Sequence, residues 1–185
     1  MKYTDLSYDE LIADINYGYN KEKYESLPEW KILRALYERN YIRLNAYNDI
    51  ISGIPKIIHQ IWLGGELPSE YRKFTESWSK FHPDWQYNLW TDEDAHIFPF
   101  KNRQAFHDAP TMGQKSDIFR YEILQKYGGI YCDTDFECLK PFDDLMYLDF
   151  FTSSGYVDKV ELYIGLIACV PNHPIINRMV DTMTG

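Results

Sequence analysis

The sequence predicts an α/β fold, a mixed but largely parallel sheet flanked by helices, on three observations. Strand-like and helix-like segments alternate from Gly53 onward. The run Lys56 to Leu63 is apolar almost throughout, as expected of a strand covered on both faces. Two glycine pairs, Gly64-Gly65 and Gly128-Gly129, stop elements where the pattern changes.

Residues 1–52 are expected to be an N-terminal helical segment, with little Gly/Pro punctuation beyond Gly18 and Pro28. One helix is expected through Leu11, Ile12 and Ile15. A second follows Pro28, where Trp30, Leu33, Leu36, Tyr37, Tyr41 and Leu44 recur at spacings of three and four. Residues 53–185 make the main domain. Its first strand covers Lys56 to Leu63. A helix runs from Pro68 to Phe81, His82-Pro83-Asp84 is a turn, and Gln86 to Trp90 is the second strand. Residues 101–108 read as a short helix. Gly113 to Tyr127 is a longer one, with Gly128-Gly129 as its left-handed cap. Ile130 to Cys132, Phe150 to Ser153 and Leu162 to Val170 are further strands, and Ile175 to Met183 is a helix.

The chain has 185 residues, 45% hydrophobic, which suffices for one domain with a sizeable core. A formal net charge of −9 excludes nucleic acid as an electrostatic partner. It also argues against simple attachment to anionic lipid. Three dispersed cysteines, Cys132, Cys138 and Cys169, point to reduced thiols and a cytoplasmic setting. No basic-then-apolar leader follows Met1, and no apolar run approaches the roughly 20 residues of a membrane helix. A soluble protein is expected, cytoplasmic or held at a membrane surface by a partner.

Ligands of such sheets sit beyond the carboxyl ends of the strands. There the sequence carries Asp133-Thr134-Asp135, directly after Ile130-Tyr131-Cys132. If the strand continues, Asp133 and Asp135 point to one side. Two carboxylates held close repel, and a hard cation such as Mg²⁺ or Mn²⁺ relieves them. Such an ion also neutralises a departing diphosphate. An acid-rich loop without a metal is the alternative. Asp92-Glu93-Asp94 has the same spacing but follows Thr91, and reads as a helix start.

Ser116, Asp117 and Arg120 lie near the start of the Gly113 helix, and Asp117 and Arg120 share a face. An arginine in an early turn opposes the dipole unless an anion binds there. An ordinary surface pair is the competing reading. Trp62, at the end of the first strand, either stacks on a planar base or fills the core. His59 and Gln60 lie within the apolar run, and a hydrogen-bonded core histidine is expected. No P-loop or G-x-S-x-G pattern is present.

Several runs resemble the sugar-binding region of family 32 glycosyltransferases. They are Ile54 to Gly64, Pro83 to Asp92, Ser116-Asp117-Ile118-Phe119-Arg120-Tyr121, and Tyr127-Gly128-Gly129-Ile130-Tyr131-Cys132-Asp133-Thr134-Asp135. Similar patterns occur in initiating mannosyltransferases, capsular polysaccharide enzymes and clostridial toxin glucosyltransferase domains. The resemblance implies a GT-A fold, a nucleotide-diphosphate sugar donor (UDP- or GDP-sugar), Mn²⁺ or Mg²⁺, and retention at the anomeric carbon. It further implies that Trp62 stacks on the base and that Ser116 and Asp117 contact base or ribose. Arg120 would contact phosphate or sugar, and Tyr131 would line the donor site. Asp133 would bind donor and metal, and Asp135 the metal.

No catalytic nucleophile is evident. The acceptor is a glycan, a lipid or a protein, with polysaccharide biosynthesis among the roles implied. Ile164 stands before Gly165-Leu166-Ile167 where many relatives have Asn. Relatives also continue beyond the equivalent of Gly185, so a domain cut short at its C-terminus is expected. A nucleotide-sugar-binding module without turnover, and a metal-dependent phosphohydrolase, are the alternatives.

Overall fold

The computed structural model describes residues 26–46, 53–156 and 160–183. The helix expected through Leu11 lies outside the described residues. The chain divides into two compact units, Met1–Ile51 with Ser154–Glu161, and Ser52–Ser153 with Leu162–Gly185. In the first unit α1 spans Pro28–Ala46, with proline at its first position and Trp30 buried.

The second unit carries β1 (Ile57–Ile61), α2 (Ser69–Phe81), β2 (Gln86–Trp90), α3 (Asp92–Ile97), α4 (Arg103–Asp108) and α5 (Met112–Tyr127). There follow β3 (Gly129–Cys132), β4 (Phe150–Tyr156), β5 (Val160–Cys169) and α6 (Pro174–Thr182), with residues 154–156 of β4 and 160–161 of β5 counted in the first unit. The sheet order is β2-β1-β3-β5-β4. β1 pairs in parallel with β2 and β3, whereas β5 runs antiparallel to β3. The sheet is therefore mixed, with a parallel core of three strands. Each predicted strand and helix of the main domain is present, with ends shifted by at most three residues.

Side chains alternate across the sheet as a period of two requires. Tyr131, Ile167 and Cys169 join Phe119, Ile123, Leu124, Ile176 and Val180 in one core cluster, under α5 and α6. Ile130, Cys132, Leu166 and Ala168 join Trp78 of α2, Trp85 and Ile58 in the other. Both faces are covered, which is why these strands are apolar throughout.

The joint between α5 and β3 depends on glycine. Gly128 caps α5 as expected, its N–H donating to the Leu124 carbonyl (2.9 Å), with φ 63° and a more extended ψ of −154°, and Gly129 has φ 92°. A Cβ at Gly128 would lie 2.7 Å from the Cys169 carbonyl oxygen, and one at Gly129 2.6 Å from that of Ile57. Only bare backbone lets β3 slide between β1 and β5.

His59 locks the same joint. Its Nε2 donates to the Gly128 carbonyl (3.0 Å), and its Nδ1 accepts from Trp90 Nε1 (3.1 Å). Both ring nitrogens are used by the neutral imidazole, and burial lowers its pKa from 6.5 to about 4. Between those values the unfolded chain takes up a proton that the folded one refuses. Stability is therefore full above pH 6.5 and is lost as pH falls towards 4. We predict a loss of about 2 kcal/mol between pH 7 and pH 5 from this residue. Urea midpoints of wild type and His59→Gln across that range check it; the variant lacks this component.

Candidate functional site

β3 stops at Cys132, and the next residues turn. The Asp133 N–H donates to the Gly165 carbonyl (2.8 Å), and the Asp133 carbonyl accepts from the Phe136 N–H (3.1 Å). A one-turn bend over residues 133–136 replaces the strand continuation expected from the sequence. The alternation argument for Asp133 and Asp135 therefore fails. The turn, and not the pleat, presents them: Asp133 half-buried against the sheet, and Asp135 exposed. The two carboxylates still feel one another, since Asp135 adds to the upward push on the Asp133 pKa.

Arg120 is the centre of the site. It lies in the third turn of α5 and not in an early one, as counting from the expected start at Gly113 also gives. The dipole conflict expected from its position does not arise. Nor is its pairing an ordinary surface one, since its side chain is only 6% exposed. Nη2 lies 2.6 Å from Asp117 Oδ1 and 3.4 Å from Asp133 Oδ1. Nη1 donates to the Ile164 carbonyl at 2.6 Å, and the guanidinium lies 4.5 Å from the Tyr131 ring centre. One cation thus ties α5 to the end of β3 and the middle of β5.

Tyr131 is buried beneath it, and its hydroxyl donates to Asp133 Oδ1 at 2.7 Å. Burial raises the Tyr131 pKa well above 10, so the hydroxyl remains a donor. Asp133 also has a raised pKa. Burial is the main cause, opposed by Arg120 and by the Tyr131 hydrogen bond, while the charges of Asp135 and Asp117 push it further up. An ionised Asp133 is therefore under-compensated, although Arg120 sits beside it.

That imbalance is the observation against which a cation can be tested. Two carboxylates on one turn, one of them exposed, form a hard-oxygen donor set that fits Mg²⁺ or Mn²⁺. No cluster of three His, Cys, Asp or Glu occurs among the described residues. The protein would supply two ligands at most from this turn, leaving the rest to phosphate oxygens and water.

The other expected residues are placed differently. Ser116 is half-buried one turn before Arg120, and its carbonyl lies 3.5 Å from Arg120 Nε. Trp62 extends the β1–β2 ladder, its N–H donating to the Trp90 carbonyl at 2.9 Å. Its ring packs against Tyr71 of α2, 5.1 Å between centres, so it faces the opposite side of the sheet from Arg120. Trp62 and the Arg120 group share one sheet edge without touching. A cavity of about 730 Å³ lies along another face of α5, lined by Gln114, Asp117, Ile118 and Tyr121 among others. It meets the Arg120 group only at Asp117.

Asp92-Glu93-Asp94 starts α3 as expected: Thr91 and Asp94 form a capping box. Asp92 also accepts from the Gly64 and Gly65 N–H groups (2.9 and 3.1 Å), which ties the loop after Trp62. Two residues with a part in the site escaped the sequence reading. A Cβ at Gly165 would lie 2.8 Å from Asp133 Oδ2. An isolated glycine inside a strand signals such an approach. Gln60, wholly buried, donates from Nε2 to the Asp133 carbonyl at 3.0 Å. Its signal was polarity within an apolar run.

The described residues thus present a mixed α/β sheet with paired acids on a turn at its C-terminal edge, beside a buried arginine. Residues 68–151 match the model of the glycosyltransferase sugar-binding region containing the DXD motif, so this stretch is similar to that family. The chain is 36% identical over 149 residues to inositol phosphoceramide mannosyltransferase 2 of Schizosaccharomyces pombe, covering 77% of this chain and 42% of that protein. It is 34% identical over 140 residues to the uncharacterized glycosyltransferase L373 of Acanthamoeba polyphaga mimivirus, covering 70% and 55%. The chain thus spans 42% and 43% of the first two fission-yeast relatives' lengths. In fold it is similar to the solved PaToxG glycosyltransferase (TM-score 0.58, 20% identity, 80% of this chain and 66% of that one), which meets the GT-A expectation. No helix among the described residues is long and apolar enough to cross a membrane.

The electrostatics separate two substitutions. Asp133→Asn removes an under-compensated charge, and its urea midpoint should equal or exceed that of wild type. Arg120→Met strands Asp117, Asp133 and the Ile164 carbonyl, and should cost about 2 kcal/mol, less than a fully buried pair because both carboxylates keep some water. Chemical denaturation of both variants at pH 7 checks the contrast.

Proposed function

We propose that this chain is the donor-binding core of a metal-dependent glycosyltransferase. It would take a nucleotide-diphosphate sugar and transfer the sugar, with retention, to a hydroxyl of a glycan, lipid or protein acceptor. The observation that carries this reading is Asp133, held by Tyr131 and Arg120 yet left with a raised pKa, next to exposed Asp135. The family of residues 68–151 and the glycosyltransferase names of the relatives support it. The mannosyltransferase names among them favour a mannosyl group.

Asp133 and Asp135 would hold Mn²⁺ or Mg²⁺. When bound, the ion neutralises charge on the departing diphosphate. The chain's own residues organise the rest. Arg120 spends Nη1 on Ile164 and Nη2 on Asp117 and Asp133, so it acts mainly by fixing the carboxylates, with little of it left for the donor. Asp117, partly exposed, presents its second oxygen to donor hydroxyls, with Ser116 beside it. Trp62 offers its ring to the base from across the sheet edge. In the transfer the anomeric C–O bond to the diphosphate breaks and a bond to the acceptor oxygen forms. The acceptor proton leaves with the diphosphate or to water. Three buried free cysteines support a reducing, cytoplasmic setting.

Thermal-shift screening of UDP- and GDP-sugars with and without Mn²⁺ tests the reading. At a hundredfold excess over Kd the donor should stabilise the protein by about 2.7 kcal/mol, a rise of several degrees. The rise should need the metal and vanish in Asp135→Ala. Shift without turnover would favour the binding module, and no shift with any donor would overturn both. Phosphate release from simple esters would instead point to a phosphohydrolase.

A further inference from the structure

We propose that Gln60 is a positioning residue for the metal-binding turn, held in place by Tyr87; this rests on the glycosyltransferase reading. Gln60 is fully buried in the middle of β1, where its neighbours Ile58 and Ile61 are apolar. A buried amide costs free energy unless its groups are hydrogen-bonded. Here both ends are used, and both bonds point to the site. Tyr87 of β2 donates its hydroxyl to Gln60 Oε1 at 2.6 Å. Gln60 Nε2 donates to the Asp133 carbonyl at 3.0 Å.

That carbonyl is the hinge of the turn, because it also accepts from the Phe136 N–H. With the Asp133 N–H bonded to Gly165, every backbone group of Asp133 is fixed by a different element. β1 supplies the carbonyl's second donor and β5 the acceptor. The turn itself closes the set. Gln60 cannot reach a donor molecule, since it is sealed in the core on the face opposite Arg120. Its effect must pass through the backbone of Asp133 to the direction of the two carboxylates. Burial raises the Tyr87 pKa, which keeps the hydroxyl protonated and donating to the amide oxygen. The line Tyr87–Gln60–Asp133 thus carries the rigidity of the parallel sheet into the loop that must not move when a cation binds.

A merely structural amide would show itself differently. Gln60→Met keeps the side chain's length and removes both bonds, but takes from the half-buried Tyr87 hydroxyl its Gln60 acceptor. Gln60→Met with Tyr87→Phe removes that hydroxyl, so much of the lost stability should return while the hold on Asp133 does not.

Two readouts on wild type, the single variant and the double variant decide the matter. The first is hydrogen exchange of the Phe136 amide in the ligand-free chain. The second is binding of UDP and GDP with and without Mn²⁺. We expect Phe136 to exchange at least tenfold faster in both variants, with the Ile58 and Ile130 amides unchanged. Mn²⁺-dependent nucleotide binding should weaken about tenfold in both, while the Mn²⁺-independent part stays. The double variant should regain melting temperature without regaining either property. Unchanged Phe136 exchange, or binding that recovers together with the melting temperature, overturns the proposal. If wild type binds neither nucleotide with Mn²⁺, the glycosyltransferase reading fails, and the Phe136 exchange alone still decides whether Gln60 holds the turn. Should the single variant not fold, the double variant alone gives both readouts.

Discussion

A single buried guanidinium holds the site together. Arg120 reaches Asp117 on its own helix, Asp133 beyond β3 and the Ile164 carbonyl in β5. Removing water from a cation is costly unless its hydrogen bonds are replaced, and these three partners replace them. The same bonds fix where Asp133 stands. Tyr131 completes the arrangement from below, with its ring under the cation and its hydroxyl on the carboxylate. The site is thus an extension of the core, and its precision comes from packing around α5, β3 and β5.

The fold supplies that precision cheaply. Gly128 and Gly129 allow β3 to enter between β1 and β5, so its end lies at the sheet's carboxyl edge with a strand on either side. Because β5 runs antiparallel, it brings backbone carbonyls rather than a loop to this edge. Gly165 and Ile164 use theirs on Asp133 and Arg120. The residue type at position 164 does not decide this contact, since the bond is made by the carbonyl and not by the side chain.

Much of this was legible in the sequence because patterning is strong where strands are buried on both faces. The runs around Ile58 and Leu89, the helix before Gly128 and the acidic pair after Cys132 were all located. Three features were not. The bend at Asp133 depends on a partner in β5, far along the chain, so an assumption of continued strand misjudged how the acids are presented. The burial of Arg120 comes from partners beyond β3 and in β5, and a surface-like residue type does not announce it. Gln60 was visible as a polar residue in an apolar run, but its partners lie in β2 and after β3. In each case the missing information was a contact between elements distant in sequence.

The two acidic triplets give the account its sharpest contrast, since they share a spacing and differ in surroundings. Asp92 and Asp94 are spent on backbone N–H groups at a helix start, whereas Asp135 is exposed and Asp133 is only partly compensated. Paramagnetic broadening of amide signals by Mn²⁺, added with UDP or GDP, distinguishes them directly. The account predicts broadening centred on residues 133–136 and spreading to Gly165, and dependent on the nucleotide. Broadening centred on Asp92–Asp94, or none near Asp133 with either nucleotide, would contradict it.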